Sequence, residues 1–360
     1  AVLVAWYRRR CIHSTSHPSS SSNNNKSVRD TRLAGRKRFY KHVGIQSVSA
    51  PWEEDESRSQ ENSVESPISA GVDGTQSASG VTNAPPLLDP DVDILRERLV
   101  PRRPGVVVSR DDSTMLRPSW FGVALDGRPI RTPLGQTLAV PSQLLAWAIA
   151  AEWDAQTDTL QPAQMPLMTL TCTALDQTAS NPERTQQTVL GYLPTDTICY
   201  WADPMEDRVL HKRQTQAWES IHNDTASVVF SGAKPAQAMG TSEGLLMSRR
   251  AAARGGGLPH PQQVVQHAQD YVANLDAWHL TALASITMEA KSLLVGIAML
   301  SCGLEPSRAV EASRVEEEFQ ISNWGLVEGG HDYDRLNGSI QMHSAHIMTS
   351  SIALDNALKK

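Results

Sequence analysis

The side chains best suited to chemistry or recognition lie between residues 310 and 332. On a helix of 3.6 residues per turn, five residues spaced 3, 4, 3 and 4 apart share one face: Val310, Ser313, Glu317, Gln320 and Trp324. This stripe has the heptad-like spacing of a helix contact, but it holds a carboxylate, an amide and an indole where a core helix holds aliphatic side chains. It therefore favours contact with another polypeptide. The alternative is a core helix in which Glu317 meets a buried partner.

A second group, Glu328, His331 and Asp332, contains the residue types of a general acid/base cluster. Adjacent side chains point in different directions, and no nucleophile or oxyanion donor accompanies the group. The sequence also has no phosphate loop, no dinucleotide-binding glycine motif and no nucleophile elbow. We therefore predict that the chain is not an enzyme and needs no cofactor. A metal-assisted hydrolase using these three residues is kept as an alternative, as is a generic organellar scaffold.

The charge of the chain is unevenly distributed. Residues 1–47 hold ten Lys or Arg and a single acid, Asp30, whereas the whole chain has a net charge of −6. Basic, Ser-rich and nearly acid-free composition is typical of an organellar transit peptide, so residues 1–36 are predicted to be a presequence. A basic arm for nucleic acid is the competing interpretation. The acidic surplus of the remainder argues against nucleic acid as a partner of the body.

Cysteines and apolar runs exclude several other classes. The four cysteines are scattered without a CxxC pair, so neither a disulfide framework nor a zinc site is predicted. The longest apolar run, 293–300, is far shorter than the roughly 20 residues of a membrane-spanning helix. We therefore expect no membrane insertion and no bound metal.

The pattern along the chain predicts a small β-rich module followed by an all-helical one. Residues 37–48 and 117–141 show strand-like alternation, and Asp126-Gly127 is a strong hairpin signal. Between these two pieces, residues 49–116 have low complexity and are predicted to be a mostly disordered insert. Residues 142–205 are predicted to be helical and to complete the N-terminal module, with Ser142 as the first N-cap.

Residues 206–336 are predicted to form a C-terminal helical bundle. Within it, 231–261 carries three consecutive glycines and two prolines and is predicted to be a flexible loop. Residues 264–300 are predicted to form one long helix or two joined ones. The polar stripe is predicted to lie on one helix that starts at Pro306 or Ser307 and ends at Gly325. Residues 337–360 are predicted to be a tail.

Nine short blocks in a fixed order resemble the mitochondrial ATP synthase F1 complex assembly factor 2 family. The blocks are 37–41, 125–133, 152–156, 165–167, 196–200, 291–292, 316–320, 324–325 and 328–333. Each block is weak alone, and the match covers residues 37–48 and about 117–336. The insert and the enlarged loop depart from the family pattern.

This resemblance implies an α+β fold with a small β-rich N-terminal module and an orthogonal helical bundle. It implies an assembly chaperone of the mitochondrial matrix that binds the unassembled alpha subunit of the F1 head. The chaperone would shield the subunit interface from aggregation and release the alpha subunit to the beta subunit. The free protein is expected to be a monomer.

The resemblance also points to eight partner-binding residues. Five lie in the C-terminal helical region: Glu317, Gln320, Trp324, Glu328 and Asp332. The other three lie in the first half of the chain: Trp153, Asp154 and Asp196. Trp and Tyr are frequent at binding hot spots because they bury a large area at low entropic cost. Both Trp153 and Trp324 could instead be core residues.

Overall fold

The computed structural model describes residues 35–52, 92–102, 104, 119–240, 257–325 and 331–358. The predicted presequence lies almost entirely outside these ranges, as do most of the predicted insert and residues 241–256 of the predicted loop. Glu328 also lies outside them.

Three antiparallel strands form the N-terminal sheet. They are β1 (Val43–Val48), β2 (Trp120–Leu125) and β3 (Arg128–Pro129), in the order β1-β2-β3. The predicted turn between β2 and β3 is confirmed, because Asp126 and Gly127 have φ values of 48° and 80°. Positive φ at both central residues is what a two-residue hairpin turn with the right-handed twist of a sheet requires. The β1–β2 register runs up to Val48 against Trp120, so residues 49–119 form a single hairpin connection.

Tryptophan rings pack together where this long connection leaves β1 and enters β2. The rings of Trp52 and Trp120 meet edge to face with centroids 5.3 Å apart, and Trp120 lies 6.5 Å from Trp278. The indole of Trp278 donates a 2.8 Å hydrogen bond to the carbonyl of Leu99, at the end of helix α1 (Val92–Leu99). The predicted insert therefore contains at least one packed helix, because Leu99 buries its side chain and anchors α1.

Ten further α-helices follow α1 among the residues that the structure describes. They are α2 (Gln143–Asp154), α3 (Pro166–Thr173), α4 (Pro182–Leu190), α5 (Arg208–Val228), α6 (Gln262–Ala273), α7 (Ala277–Ala290), α8 (Leu293–Ser301), α9 (Pro306–Ser313), α10 (Val315–Trp324) and α11 (His331–Leu358). A second, parallel pair of strands consists of β4 (Tyr200–Ala202) and β5 (Ala238–Gly240). A helical C-terminal region thus follows a strand-containing N-terminal region, and the predicted α+β class is confirmed.

Side-chain caps explain where several helices begin. The Ser142 hydroxyl accepts a hydrogen bond from the amide of Leu145, as predicted for the start of α2. Asp207, Asp276 and Ser292 cap α5, α7 and α8 in the same way. Each such cap satisfies one of the amide groups that the first turn of a helix leaves unpaired, and is worth about 1 kcal/mol.

The core of the C-terminal half surrounds α7 and α8, which are apolar on nearly every side. Their crossing depends on Gly296, because a Cβ atom there would lie 2.7 Å from Cδ1 of Leu283 and 2.8 Å from the hydroxyl of Thr287. Helix α11 packs against α7 and buries Met342, Met348 and Ile352. These contacts make one continuous hydrophobic core with the N-terminal module.

The structure corrects three predicted boundaries. The segment 264–300 forms parts of three helices, because Asp276 and Ser292 start new ones; Lys291, at φ 54°, lies between α7 and α8. The predicted flexible loop contains β5, held by pairing with β4. Residues 337–358 of the predicted tail belong to α11, since their apolar side chains at helical spacing pack on the core.

Candidate functional site

Three of the predicted partner-binding residues lie on α10. Glu317 is half-buried, whereas Gln320 and Trp324 are exposed, and 78% of the Trp324 side chain is accessible to solvent. An indole this open at the end of a helix gains nothing from the core, so its apolar area is available to a partner.

The polar stripe does not lie on one helix as predicted. The chain breaks at Arg314, so that Val310 and Ser313 belong to α9 while Glu317, Gln320 and Trp324 belong to α10. The backbone of Arg314 has φ −115° and ψ 8°, outside the helical region, which redirects the chain at this point. Within the stripe, Gln320 and Trp324 are exposed, whereas Val310, Ser313 and Glu317 are half-buried.

A network of charges surrounds the first turn of α10. A guanidinium nitrogen of the mostly buried Arg314 lies 2.5 Å from Glu317, and another lies 3.6 Å from Glu318. Arg335, in the first turns of α11, contacts Glu318. The Glu318 carboxylate raises the pKa of Arg335 above its ordinary value, with smaller contributions from Asp332 and Glu317. The structure thus brings Glu317 and Asp332 into one acidic cluster around Arg335.

Helix α5 supports α10 and the end of α9 that precedes it. The buried amide of Gln214 donates to Glu316 at 3.2 Å, and the indole of Trp218 donates to the carbonyl of Ala312 at 2.7 Å. The guanidinium of Arg213 lies over the ring of Phe319, 5.5 Å from its centroid. Because Gln214 and Trp218 are buried, their contacts hold the backbone that presents the acidic cluster and Trp324. We call Glu317, Gln320, Trp324 and Asp332 the α10 surface.

Two predicted partner-binding residues are buried instead. Trp153 is 2% exposed on the inner face of α2, where its carbonyl accepts a 2.6 Å hydrogen bond from Tyr40. The carboxylate of Asp196 is fully buried and accepts hydrogen bonds from the amides of Ile198 and Leu294, which caps α8 from a distant segment. Both residues hold elements together, so we remove them from the partner-binding set.

Asp154 is exposed, but it lies at the end of α2 rather than beside the α10 surface. Its carboxylate is 3.3 Å from a guanidinium nitrogen of Arg38, which also donates to the carbonyl of Gln156 at 2.5 Å. Arg38 therefore covers the carbonyl groups that the end of α2 leaves unpaired. The geometry explains Asp154 as part of this cap, and a partner role for it stays a prediction.

The acid/base group of the alternative hydrolase is only partly described, since Glu328 and the side chain of His331 lie outside the described residues. Asp332 is exposed. In the part of the chain that the structure describes, no group of three or more His, Cys, Asp and Glu side chains could hold a metal ion. No helix within the same ranges is long and apolar enough to cross a membrane.

Glu152 is a carboxyl group with a strongly raised pKa that the sequence analysis did not identify. Its oxygens accept hydrogen bonds from the amides of Leu167 and Met168, at 2.7 and 2.9 Å, and so cap the start of α3. Burial raises the pKa of Glu152 to about 7 from an ordinary 4.5, although the two amides act in the opposite direction. The sequence indicated it only through its position directly before Trp153, which the structure shows to be buried.

The raised pKa of Glu152 predicts that the stability of the folded protein depends on pH. Because the folded pKa is raised, the contribution of Glu152 is fully present below the unfolded value of 4.5 and is lost as pH rises through about 7. A tenfold change in an acid dissociation constant corresponds to about 1.4 kcal/mol. We expect the unfolding free energy, measured in urea from about pH 5 to about pH 8, to fall with rising pH.

The variant Glu152→Gln should show a shallower fall, because an amide does not titrate. Asp154→Asn, two residues further on the exposed side of the same helix, is the matched control and should keep the wild-type slope. Equal slopes for wild type and Glu152→Gln would contradict the assignment.

Two apolar residues beside the α10 surface were not among the predicted partner-binding residues. Tyr333 and Leu336, near the start of α11, are both exposed, and Arg335 between them reaches Glu318. Their helical spacing with later apolar residues of α11 indicates one continuous helix. The predicted tail from residue 337 onward separates them from those residues.

Comparisons with known proteins agree with this geometry. The crystal structure of Atp12 from Paracoccus denitrificans has a TM-score of 0.55 and 27% sequence identity, over 64% of this chain and 91% of that chain. The profile of the ATP12 chaperone protein family matches residues 106–226. The chain is similar to ATP12 chaperones in both sequence and fold. Among its relatives, mitochondrial ATP12 of Saccharomyces cerevisiae is 26% identical over 259 residues, covering 63% of this chain and 78% of that protein.

A second relative gives the same result. The mitochondrial atp12 protein of Schizosaccharomyces pombe is 23% identical over 250 residues, which cover 68% of this chain and 81% of that protein. Both yeast relatives are named as mitochondrial, and the family is one of chaperones. These similarities support the mitochondrial location and the chaperone role that the resemblance implied. The profile match runs from before β2 to near the end of α5, and it includes neither β1 nor the α10 surface.

Proposed function

We propose that this chaperone acts in ATP synthase assembly by binding the unassembled alpha subunit of the F1 head in the mitochondrial matrix. It shields the surface with which the alpha subunit contacts its neighbours, and then releases it to the beta subunit. Similarity to ATP12 chaperones supports the chaperone role. The observation that carries the proposal is the exposed Trp324 on the helix that also carries the acidic cluster and that α5 supports.

The physical reason is the nature of the client. A subunit of a permanent ring exposes a large apolar interface before assembly, because such interfaces resemble a domain core cut in half. An exposed indole can cover part of that interface, while surrounding carboxylates keep the contact wet and reversible. The net charge of −6 helps to keep the chaperone soluble.

Release by displacement fits this arrangement better than release by hydrolysis. The sequence contains no phosphate-binding loop that would bind ATP. The beta subunit competes for the same apolar surface of the alpha subunit, so mass action transfers the client. We therefore expect no ATP turnover by the purified chaperone.

A capture experiment tests the proposal. Immobilised chaperone is mixed with purified alpha subunit, purified beta subunit, or alpha followed by beta, and the retained protein is quantified. We expect alpha to be retained, beta alone to pass through, and added beta to elute alpha without ATP. Equal retention of both subunits, or no retention of alpha, would contradict the proposal.

The best variant for this assay at Glu317 is Glu317→Gln. A lysine there would face the mostly buried Arg314, and two cations with little access to water would also reduce stability. The amide removes the charge and keeps the shape, so a change in retention reports on the acidic cluster itself.

A further inference from the structure

Helix α11 has two apolar faces, and only one of them packs against the hydrophobic core. The buried face includes Met342, Ala345, Met348 and Ile352. A second set of apolar residues follows the opposite side along most of the helix: Leu336, Ile340, Ile347, Leu354 and Leu358. We call this set the α11 stripe. A helix in contact with water on one side ordinarily carries polar residues there, so a second apolar stripe indicates a second packing contact.

The α11 stripe is narrow, exposed and almost free of charge. At 100° per residue its five members fall within an arc of about 40°. Ile340 is half-buried, and the other four are between 42% and 81% exposed. Between Arg335 and Lys359 the sequence holds one acid or base other than histidine, Asp355, and that carboxylate is buried. A long uncharged face is typical of the centre of a stable protein interface.

The spacing of the stripe reads the same in both directions. Its members are separated by 4, 7, 7 and 4 residues, so the pattern is symmetric about Ile347. If a second α11 lies antiparallel with Ile347 on the two-fold axis, Leu336 meets Leu358 and Ile340 meets Leu354. A two-fold interface must be self-complementary in this way, whereas an unrelated partner imposes no such symmetry.

The charges at the two ends of α11 favour the same arrangement. Asp332 and Asp334 lie in its first turn, and the sequence continues after Leu358 with Lys359 and Lys360. An antiparallel pairing brings the acidic end of one helix towards the basic residues of the other. It also sets the helix dipoles in opposite directions, which is favourable.

The apolar surface widens onto α2, which contacts the end of α11. The amide of Gln143 donates a 2.5 Å hydrogen bond to Asp355, and the hydroxyl of Ser142 donates to the carbonyl of Ser351 at 3.0 Å. Leu144 and Trp147, on the following turns of α2, are both exposed. The buried polar contacts fix α2 beside the stripe, so each copy can offer two helices to the interface.

We propose that the α11 stripe binds a second copy of this chain, through an antiparallel α11–α11 contact centred on Ile347. The proposal does not depend on the identity of the client. It replaces the expectation of a free monomer with that of a homodimer whose two α10 surfaces belong to different copies.

Mass measurement and crosslinking test this proposal directly. Light scattering after size exclusion should give the full-length chain twice its mass of 39.3 kDa. Ile347→Asp should raise the dissociation constant at least about tenfold, because two carboxylates meet on the axis. Val209→Asp, an exposed aliphatic position in the first turn of α5, is the matched control and should leave the dimer unchanged.

Single cysteines test the two-fold axis. Ile347→Cys should form an intermolecular disulfide under mild oxidation, since each residue 347 faces its own copy. Leu354→Cys should not, because its neighbour is Ile340; the unsubstituted chain controls for the natural cysteines. Leu354→Cys combined with Ile340→Cys should crosslink again.

Three results would overturn the proposal. The first is a monomer at concentrations on the order of 100 µM. The second is a dimer that Ile347→Asp does not weaken. The third is a monomer whose retention of alpha subunit is lost in Ile347→Asp, which would assign the stripe to the client instead.

Discussion

Replacing Trp153 by Arg is expected to unfold most of the protein at physiological temperature. Trp153 is 2% exposed, and its ring meets that of Tyr40 edge to face at 5.7 Å. The substitution removes a large apolar side chain and places a cation among apolar neighbours without a carboxylate prepared for it. We expect a loss of about 4 kcal/mol or more in unfolding free energy, a large fraction of the stability of a typical domain.

The matched control lies on the same helix. Trp147 is 52% exposed, so Trp147→Arg makes the same chemical change at the surface. Urea denaturation at low protein concentration should place Trp147→Arg within about 0.5 kcal/mol of wild type. If both variants lose similar stability, burial is not the reason for the effect at Trp153.

The second large effect concerns binding. Trp324→Ala is expected to weaken retention of the alpha subunit by about 2 kcal/mol, roughly thirtyfold in the dissociation constant, because exposed tryptophans frequently become interface hot spots. Its thermal unfolding should remain that of the wild type, since 78% of the side chain already contacts water. Titration of the alpha subunit by interferometry, beside a thermal melt, measures both quantities.

Met205→Ala serves as the control for Trp324→Ala. Met205 is 90% exposed, precedes α5 and is not one of the residues of the α10 surface. Truncating it should change neither affinity nor melting temperature. An unchanged affinity in Trp324→Ala would remove the central residue of the proposed α10 surface.

Local sequence signals predicted the parts of the fold that depend on neighbouring residues. The Asp126-Gly127 turn and the Ser142 cap are each satisfied within a few residues, so composition and spacing were sufficient. The alternation of β1 and β2 was likewise readable. Their direct pairing across residues 49–119 was not, because it depends on Trp52, Trp120 and Trp278 meeting in space.

Burial separates the predicted partner-binding residues into core residues and exposed ones. A single sequence does not show which of them are buried. Trp153 and Trp324 are the same residue type in comparable helical patterns, yet one is in the core and the other is exposed. Asp154 and Asp196 differ in the same way, since one caps a helix at the surface and the other is enclosed by amides of a distant segment. Neither distinction follows from spacing.

The sequence by itself determined the α+β class, the acidic character of the body and the helix that carries Glu317, Gln320 and Trp324. These depend on residue type and on the period of a helix, which act locally. Only the tertiary structure decided which face of each helix is covered. That choice made Trp153 and Asp196 structural, left Trp324 open, and turned residues 337–358 from a predicted tail into a core helix with a second, exposed apolar face. The physical reason is that burial is a property of the whole packed chain, because each apolar stripe is covered only if another element lies against it.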